Sequence, residues 1–418
     1  MDYKLVKMDN YNIYFSQTKN FKTISLSIRF KKKKTIEDFV YSGILRKILK
    51  AGSNNYKNIN DYYKAKFDLY NPGINIGITN FGPDQIFYVN SKFSNEKYTK
   101  AGMHKKTINF ILDSIYKPKA ENGEFEKELF ELSKHECIEK MKALKDDPFR
   151  YTVNRLWEEM DVYDFKIPST NELIKLAKKI SSKDLYNYYN DLVKNSTLDI
   201  FVMGDFNEEE IKSIIDKNIK GNFGDNHKNK YITFENKISK AKEIIEDKKA
   251  TQSQMAISLK LTNLTDFERQ YVSMCYSNIL GGGWSSKLMQ IVREKHSLCY
   301  HIGTNRDISH SLIFVYAFID AKDYKKCLKL VKEIIESMKK GDFTDAHLDQ
   351  VKEIYLNAIK EAEDHQSLYI SNLIDMILTG TDDFKTRKKK IAEVTREDIM
   401  KVASKVQMDV VYFLKGEM

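Results

Sequence analysis

The sequence predicts an α+β fold built twice: two duplicated halves, each a mixed or antiparallel sheet packed with helices. Three observations carry that expectation. A phrase recurs near the end of each half, ISSKDLYNYYNDLVKNSTLDIFVMGD from Ile180 and VTREDIMKVASKVQMDVVYFLKGE from Val394, with Asp184 and Asp398 standing 214 positions apart. KTISLSIRF at 22–30 and SQMAISLKL at 253–261 alternate in the manner of half-buried strands. Hydrophobic residues make up 42% of the 418 positions, with only 5 prolines and 17 glycines, which suits sizeable cores and disfavours long disordered linkers.

Each element follows in order. After the strand at 22–30 comes a helix near 37–51, a short second helix, and the strands INIGIT and QIFYVNSKF. A long amphipathic helix is expected near 94–117, then a helix-rich stretch from about 124 to 195. The repeated phrase closes the half: an N-cap Ser or Thr, an acidic first turn, a helix, then an apolar strand ending in glycine. The polar segment GNFGDNHKNKYITFENK, 221–237, reads as the linker, dividing 1–220 from 238–418. The second half repeats the order, with a helix near 265–280, strands YHIGTN and LIFVYAFID, a helix near 323–339 and a helix-rich stretch from about 343 to 405.

The net charge is +10 and the pI about 9.0, but the excess is spread along the chain as lysine, including KKKK at 31–34 and RKKK at 387–390. No nucleic-acid-binding signature accompanies it, so nucleic acid is not expected as a partner. Only nine of the 69 basic residues are arginine, so a position that uses one points to a need for its planar fork. Cys137, Cys275, Cys299 and Cys327 form no C-x-x-C and suggest a reducing compartment. The N-terminus MDYKLVKMDNYNIYF has no apolar signal region, and no run approaches a membrane span, so a cytoplasmic protein without a membrane partner is expected.

Catalytic motifs are scarce. The histidines are His104, His135, His227, His296, His301, His310, His347 and His365, and none pairs into a zinc motif. HECIE at 135–139 ends in Glu139 where H-E-x-x-H needs histidine, and reads as the solvated face of a charged helix. G-x-S-x-G is absent, and Lys287 comes too late after Gly281, Gly282 and Gly283 for a phosphate loop.

The remaining stretch is LGGGWSSKLMQIVREKHSLCY, 280–300. Ser285 or Ser286 can cap a helix through about Arg293, with Leu288, Ile291 and Val292 on its apolar face. Tyr300 then starts a strand, and the Arg293 and Tyr300 heads can converge from a helix end and a strand start. The glycines either admit a peptide backbone closely or serve as a bend. Trp284 is equally a core or a substrate-facing aromatic, and Cys299 reads as packing.

This stretch, extended to LGGGWSSKLMQIVREKHSLCYHIGT, resembles the C-terminal-half signature of the pitrilysin, insulinase and mitochondrial processing peptidase family, departing from it at Lys287 (usually Arg) and Ser297 (usually Gly). The resemblance implies a clam-like half-ring of two halves. Family enzymes carry H-x-x-E-H on the first long helix; here that helix reads YSGILRKILKAGSNNY, 41–56, with Arg46, Lys47 and Lys50 and no histidine, since the first in the chain is His104. Glutamates in FEKELFELSKHECIEKM, 125–141, occupy the neighbourhood of the third ligand. The chain therefore resembles the zinc-less member of bacterial two-chain pairs. The resemblance implies no metal in this chain, zinc in a homologous partner, a heterodimer (or a homodimer when alone), and a peptide substrate. It gives Arg293 and Tyr300 a catalytic role and Gly281, Gly282, Gly283, Trp284 and Ser285 a substrate-binding one. The other implied possibility is a non-catalytic scaffold or peptide-binding protein of the same fold.

Overall fold

The computed structural model describes residues 2–219, 230–235, 238, 240–248 and 252–416; His227 and most of the 221–237 linker lie outside them. The strands are β1 (Lys4–Lys7), β2 (Asn12–Gln17), β3 (Thr23–Lys33), β4 (Gly73–Phe81), β5 (Asp84–Ser94), β6 (Ala120–Glu121), β7 (Glu124–Phe125) and β8 (Thr197–Gly204). The second half adds β9 (Lys242–Lys248), β10 (Ser253–Leu261), β11 (Cys299–Asp307), β12 (Leu312–Ile319) and β13 (Val406–Gly416). One sheet runs β1-β2-β8-β3-β5-β4 and the other β11-β12-β10-β13-β9, with β6 and β7 as a separate short pair.

Apart from the additional edge strand β1, the two orders are the same order. β3 lies antiparallel between β8 and β5, as β10 lies antiparallel between β13 and β12. Each sheet also has one parallel pair, β2 with β8 and β13 with β9. Mixed α+β architecture and duplication are thus present as expected. The repeated phrase works as read: Ser181 with Asp184 and Thr395 with Asp398 form matching capping boxes, each satisfying helix N–H groups from both sides.

The strands are more buried than their alternation suggested. All nine residues of β10 are buried. Met255, Ile257, Leu259 and Leu261 face the larger core, and Ala256 on the other face packs with Leu156, Phe314, Val410 and Tyr412. Leu156 belongs to the helix Pro148–Glu158, which comes from the first half of the sequence. The reciprocal holds in the other unit, where Ile370, Ile374 and Leu378 of Gln366–Thr379 pack on Tyr14, Ile86, Phe201 and Met203. One compact unit accordingly comprises Met1–Lys142, Thr170–Asn229 and Asp364–Gly380, and the other Ala143–Ser169, Lys230–Glu363 and Thr381–Met418. Among the described residues no helix is long and apolar enough to cross a membrane.

The helix expected near 265–280 is present but widens into a π-turn over Glu268–Val272 before continuing as Ser273–Gly281. The widening is held from two sides. Arg306 Nη1 donates to Arg269 O at 2.9 Å and to Ser273 Oγ at 3.0 Å. Glu268, buried, accepts from Thr265 N–H at 2.8 Å and pairs with Lys405 at 2.6 Å and Lys401 at 3.3 Å. Burial by itself would push the Glu268 carboxyl up; the bonds from Lys405, Thr265 and Lys401 outweigh it and hold the group below the usual glutamate range.

A carboxyl lowered on folding contributes stability above its unfolded value of about 4.3, and that contribution is lost as pH falls through the lower folded value. Glu268→Gln is therefore expected to cost about 1–3 kcal/mol at neutral pH. Urea denaturation of both proteins should show the gap closing as the pH is brought below the unfolded value.

Candidate functional site

The site is built where the helix Ser273–Gly281 runs out against the edge strand β11. Gly281 is buried, and a Cβ there would lie 2.6 Å from Thr304 Cγ2 and 2.9 Å from Thr304 N. Only a residue without a side chain lets the helix end sit this close to the strand. Gly303 answers from the strand side, where a Cβ would lie 3.2 Å from Gly281 O. Gly283 has open space around it, so the chain leaves the contact free of side chains.

The turn that follows is tied down by its polar groups. Ser285 Oγ donates to Gln350 Oε1 at 3.1 Å, Ser286 Oγ to Gly283 O at 2.5 Å, and Gln290 Nε2 to the Trp284 carbonyl at 2.6 Å. The two serines thus brace the turn instead of capping the helix with their side chains. Lys287, buried, reaches Asp342 Oδ2 at 2.6 Å. The next helix buries Leu288, Met289 and Val292 and is again a π-helix over Met289–Lys295. Ser297 ends it at φ +51°, with Ser297 N–H donating to Arg293 O and Leu298 N–H to Val292 O.

Arg293 leans back over the Trp284 ring, its guanidinium carbon 4.6 Å from the ring centroid, and approaches Glu294 at 3.4 Å. Trp284 is 66% exposed, which settles it as a surface aromatic. Tyr300 is reached through a β-bulge: Cys299 pairs with Ile319 and His301 with Phe318, so Tyr300 has no partner position on β12. The unpaired residue is turned outward, 63% exposed, with its hydroxyl 3.4 Å from Asp320 Oδ1. Arg293 and Tyr300 therefore each hold a different partner in this structure and do not meet. Cys299 faces inward, and burial pushes its thiol up to about 11, consistent with packing.

Two cavities flank Trp284. One, of about 420 Å³, is lined by the glycines, Trp284, His301–Thr304 of β11, and Phe149, Tyr316 and Phe318. The other, of about 300 Å³, lies between Trp284, Ser285, His347 and Gln350. Gly282, Gly283, Trp284, Ser285 and Arg293 are thus brought together. Phe149 was not visible as a site residue: it comes from Pro148–Glu158, and its ring stands 5.3 Å from Tyr316 and 5.6 Å from Phe318.

The helix where the family carries zinc ligands does not fit a metal. Ile44, Leu45, Ile48 and Leu49 of Tyr41–Lys50 are buried, and Lys47 forms an ion pair with Glu136 of Lys127–Lys142. A lysine ammonium here neutralises the glutamate on the neighbouring helix. Glu139 pairs with Lys142 at 2.7 Å, so HECIE is a charged helix face. Among the described residues Glu96, His104 and Glu210 offer atoms within 4.8 Å of one another. His104 Nε2 already accepts from Glu96 N–H at 2.8 Å, and the Glu96 carboxylate accepts from Gly102 and His104 N–H, which makes the group a clasp at a helix start.

Residues 179–355 match the family model of the peptidase M16 inactive domain. Over 414 residues the chain is 27% identical to the probable inactive metalloprotease YmfF of Bacillus subtilis (strain 168), covering 96% of this chain and 94% of that one. The chain is thus similar to zinc-less members of the M16 peptidase family. Its fold is similar to that of a conserved protein from Enterococcus faecalis V583, with TM-score 0.92 at 21% identity over 100% of this chain and 99% of that one. A peptidase M16 inactive domain from Pseudomonas fluorescens gives TM-score 0.77 at 14% identity over 100% and 99%.

Two substitutions separate the backbone requirements of this stretch. Gly281→Ala forces the helix end off β11 and is expected to cost about 1–3 kcal/mol. Ser297→Gly relieves a positive-φ side chain and is expected to gain about 0.4–1 kcal/mol. Thermal and urea denaturation should show shifts of opposite sign.

Proposed function

We propose that this chain is the zinc-less subunit of a heteromeric M16 peptidase, lending substrate-gripping and charge-stabilising groups to a homologous zinc-bearing chain that cleaves peptides in an enclosed chamber. The observation that carries this reading is the exposure of Trp284, which lines a cavity on an edge strand and carries Arg293 on its ring, together with the outward turn of Tyr300 on the same strand. The core does not need their polar heads. A β-bulge is spent on turning Tyr300 out, and π-helices and bulges recur where a fold re-aims side chains for function. Among the described residues β11 is an edge strand, with one side for an extended peptide that would gain main-chain hydrogen bonds there.

Zinc on the partner would supply an activated water at the scissile bond. This chain's part is to bind and orient. Gly282 and Gly283 admit the peptide backbone, Trp284 and Ser285 line its path, and Phe149, Tyr316 and Phe318 supply apolar surface. Arg293 and Tyr300 donate hydrogen bonds to the carbonyl oxygen on which negative charge develops. Pre-placed donors of this kind contribute roughly a hundred- to a thousandfold each. The free thiols of Cys137, Cys275, Cys299 and Cys327 suit a cytoplasmic setting for such a pair.

The test starts with an affinity pull-down of the chain from its native extract and identification of a stoichiometric partner carrying H-x-x-E-H. In the reconstituted pair, Arg293→Ala and Tyr300→Phe are each expected to lower hydrolysis of a fluorogenic peptide at least tenfold, with partner binding intact. Undiminished hydrolysis by both variants would assign the chain to the scaffold reading instead.

A further inference from the structure

The other sheet has a polar face whose residues stand in cross-strand register. On β3, β5 and β4 the sets are Ser25–Lys92–Gly73, Ser27–Asn90–Asn75 and Arg29–Tyr88–Gly77. Their neighbours Ile24, Leu26 and Ile28 face the core. Gly77 lets the Tyr88 ring lie across the sheet, because a Cβ there would sit 2.3 Å from the Tyr88 hydroxyl. Arg29 stacks on that ring, 5.0 Å from its centroid. A cavity of about 410 Å³ opens beside it, lined by Ser27, Arg29, Asn75, Asn90, Lys92 and, from the helix Gln366–Thr379, Ser371.

The hydrogen bonds in this cavity are ordered so that donors are left over. Arg29 Nε donates to Ser27 Oγ at 3.1 Å, and Ser27 Oγ donates in turn to Asn90 Oδ1 at 2.7 Å. That spends the acceptor of Asn90 and leaves its amide N–H groups. Among the described residues the two terminal amino groups of Arg29 form no hydrogen bond or ion pair. Asp375 on Gln366–Thr379 acts on the guanidinium only at longer range, and burial lowers its pKa without discharging it. A half-buried cation without an ion-pair partner is costly, and an anion of matching shape offsets that cost.

We propose that this cavity binds a carboxylate of a peptide, held end-on by the two terminal amino groups of Arg29 with the Asn90 amide as a third donor. The planar fork matches a carboxylate, and the single neighbouring cation, the exposed Lys92, suits a singly charged group. The cavity also reaches Gly73 and Asn75 on β4, the edge strand of this sheet, where an extended chain can lie. The peptide character of the ligand rests on the function proposed above; the carboxylate specificity rests on Arg29 and its surroundings.

Fluorescence anisotropy on the intact chain tests it with three labelled hexapeptides of Gly, Ala and Ser. One ends in a free carboxylate, one is amidated, and one is amidated with an internal Glu. At least one acidic peptide is expected to bind tenfold or more tighter than the neutral one, and which does so tells a chain terminus from an acidic side chain. Arg29→Gln should abolish the difference. Asn90→Asp, which places a carboxylate of the protein's own beside Arg29, should abolish it too and covers the case in which Arg29→Gln does not fold. Equal binding of all three peptides, or a preference that survives both substitutions, overturns the proposal. The assay uses neither partner nor hydrolysis, so failure of the peptidase reading registers in the reconstituted pair and failure of this one in the anisotropy.

Discussion

The approach of Gly281 to the backbone of Gly303 and Thr304 fixes the rest of the candidate site. A side chain on the helix end would push the helix away from β11, and everything downstream would move with it. With the contact made, the chain leaves the helix at a defined point, and the Trp284 turn is braced by Ser285, Ser286 and Gln290. The next helix delivers Arg293 back onto the Trp284 face. Ser297 then reverses the chain at a positive φ, and the bulge on β11 decides which way Tyr300 points. The signature is therefore mostly a set of backbone instructions, with its outward residues carried as their consequence.

The two units show how one topology is put to different uses. The strand order and the capping boxes are shared, so the architecture tolerates wide changes of side chain on top of it. In one unit the first long helix carries Lys47, paired with Glu136 of the neighbouring helix. That unit keeps instead a polar sheet face centred on Arg29. The other unit keeps the glycine–tryptophan–arginine–tyrosine arrangement.

The scarce arginines do not all share one purpose. Arg269 and Arg306 donate to backbone carbonyls and serine hydroxyls around the first π-turn, where several donors in one plane can satisfy carbonyls that a widened helix leaves spare. These are structural tasks. Arg269 also lies over an aromatic ring, Tyr231, but the rings under Arg293 and Arg29 stand beside a cavity. Scarcity selects positions that need a planar fork; the surroundings decide what the fork is for.

The sequence by itself determined the α+β class, the duplication, the repeated caps and the family signature, because these are local: the period of apolar residues, a serine or threonine three positions before an aspartate, a glycine run ahead of a helix. It also determined the absence of zinc ligands on the first helix, which is a matter of residue type alone. Only the tertiary structure decided that β10 is buried on both faces, since the covering helix Pro148–Glu158 is supplied by the opposite half of the chain. It likewise decided that Phe149 lines the cavity, that Tyr300 faces outward through a bulge, and that Arg29 lies beside an open space. Register across strands and packing between distant segments set those outcomes, and neither is written in any short stretch of residues.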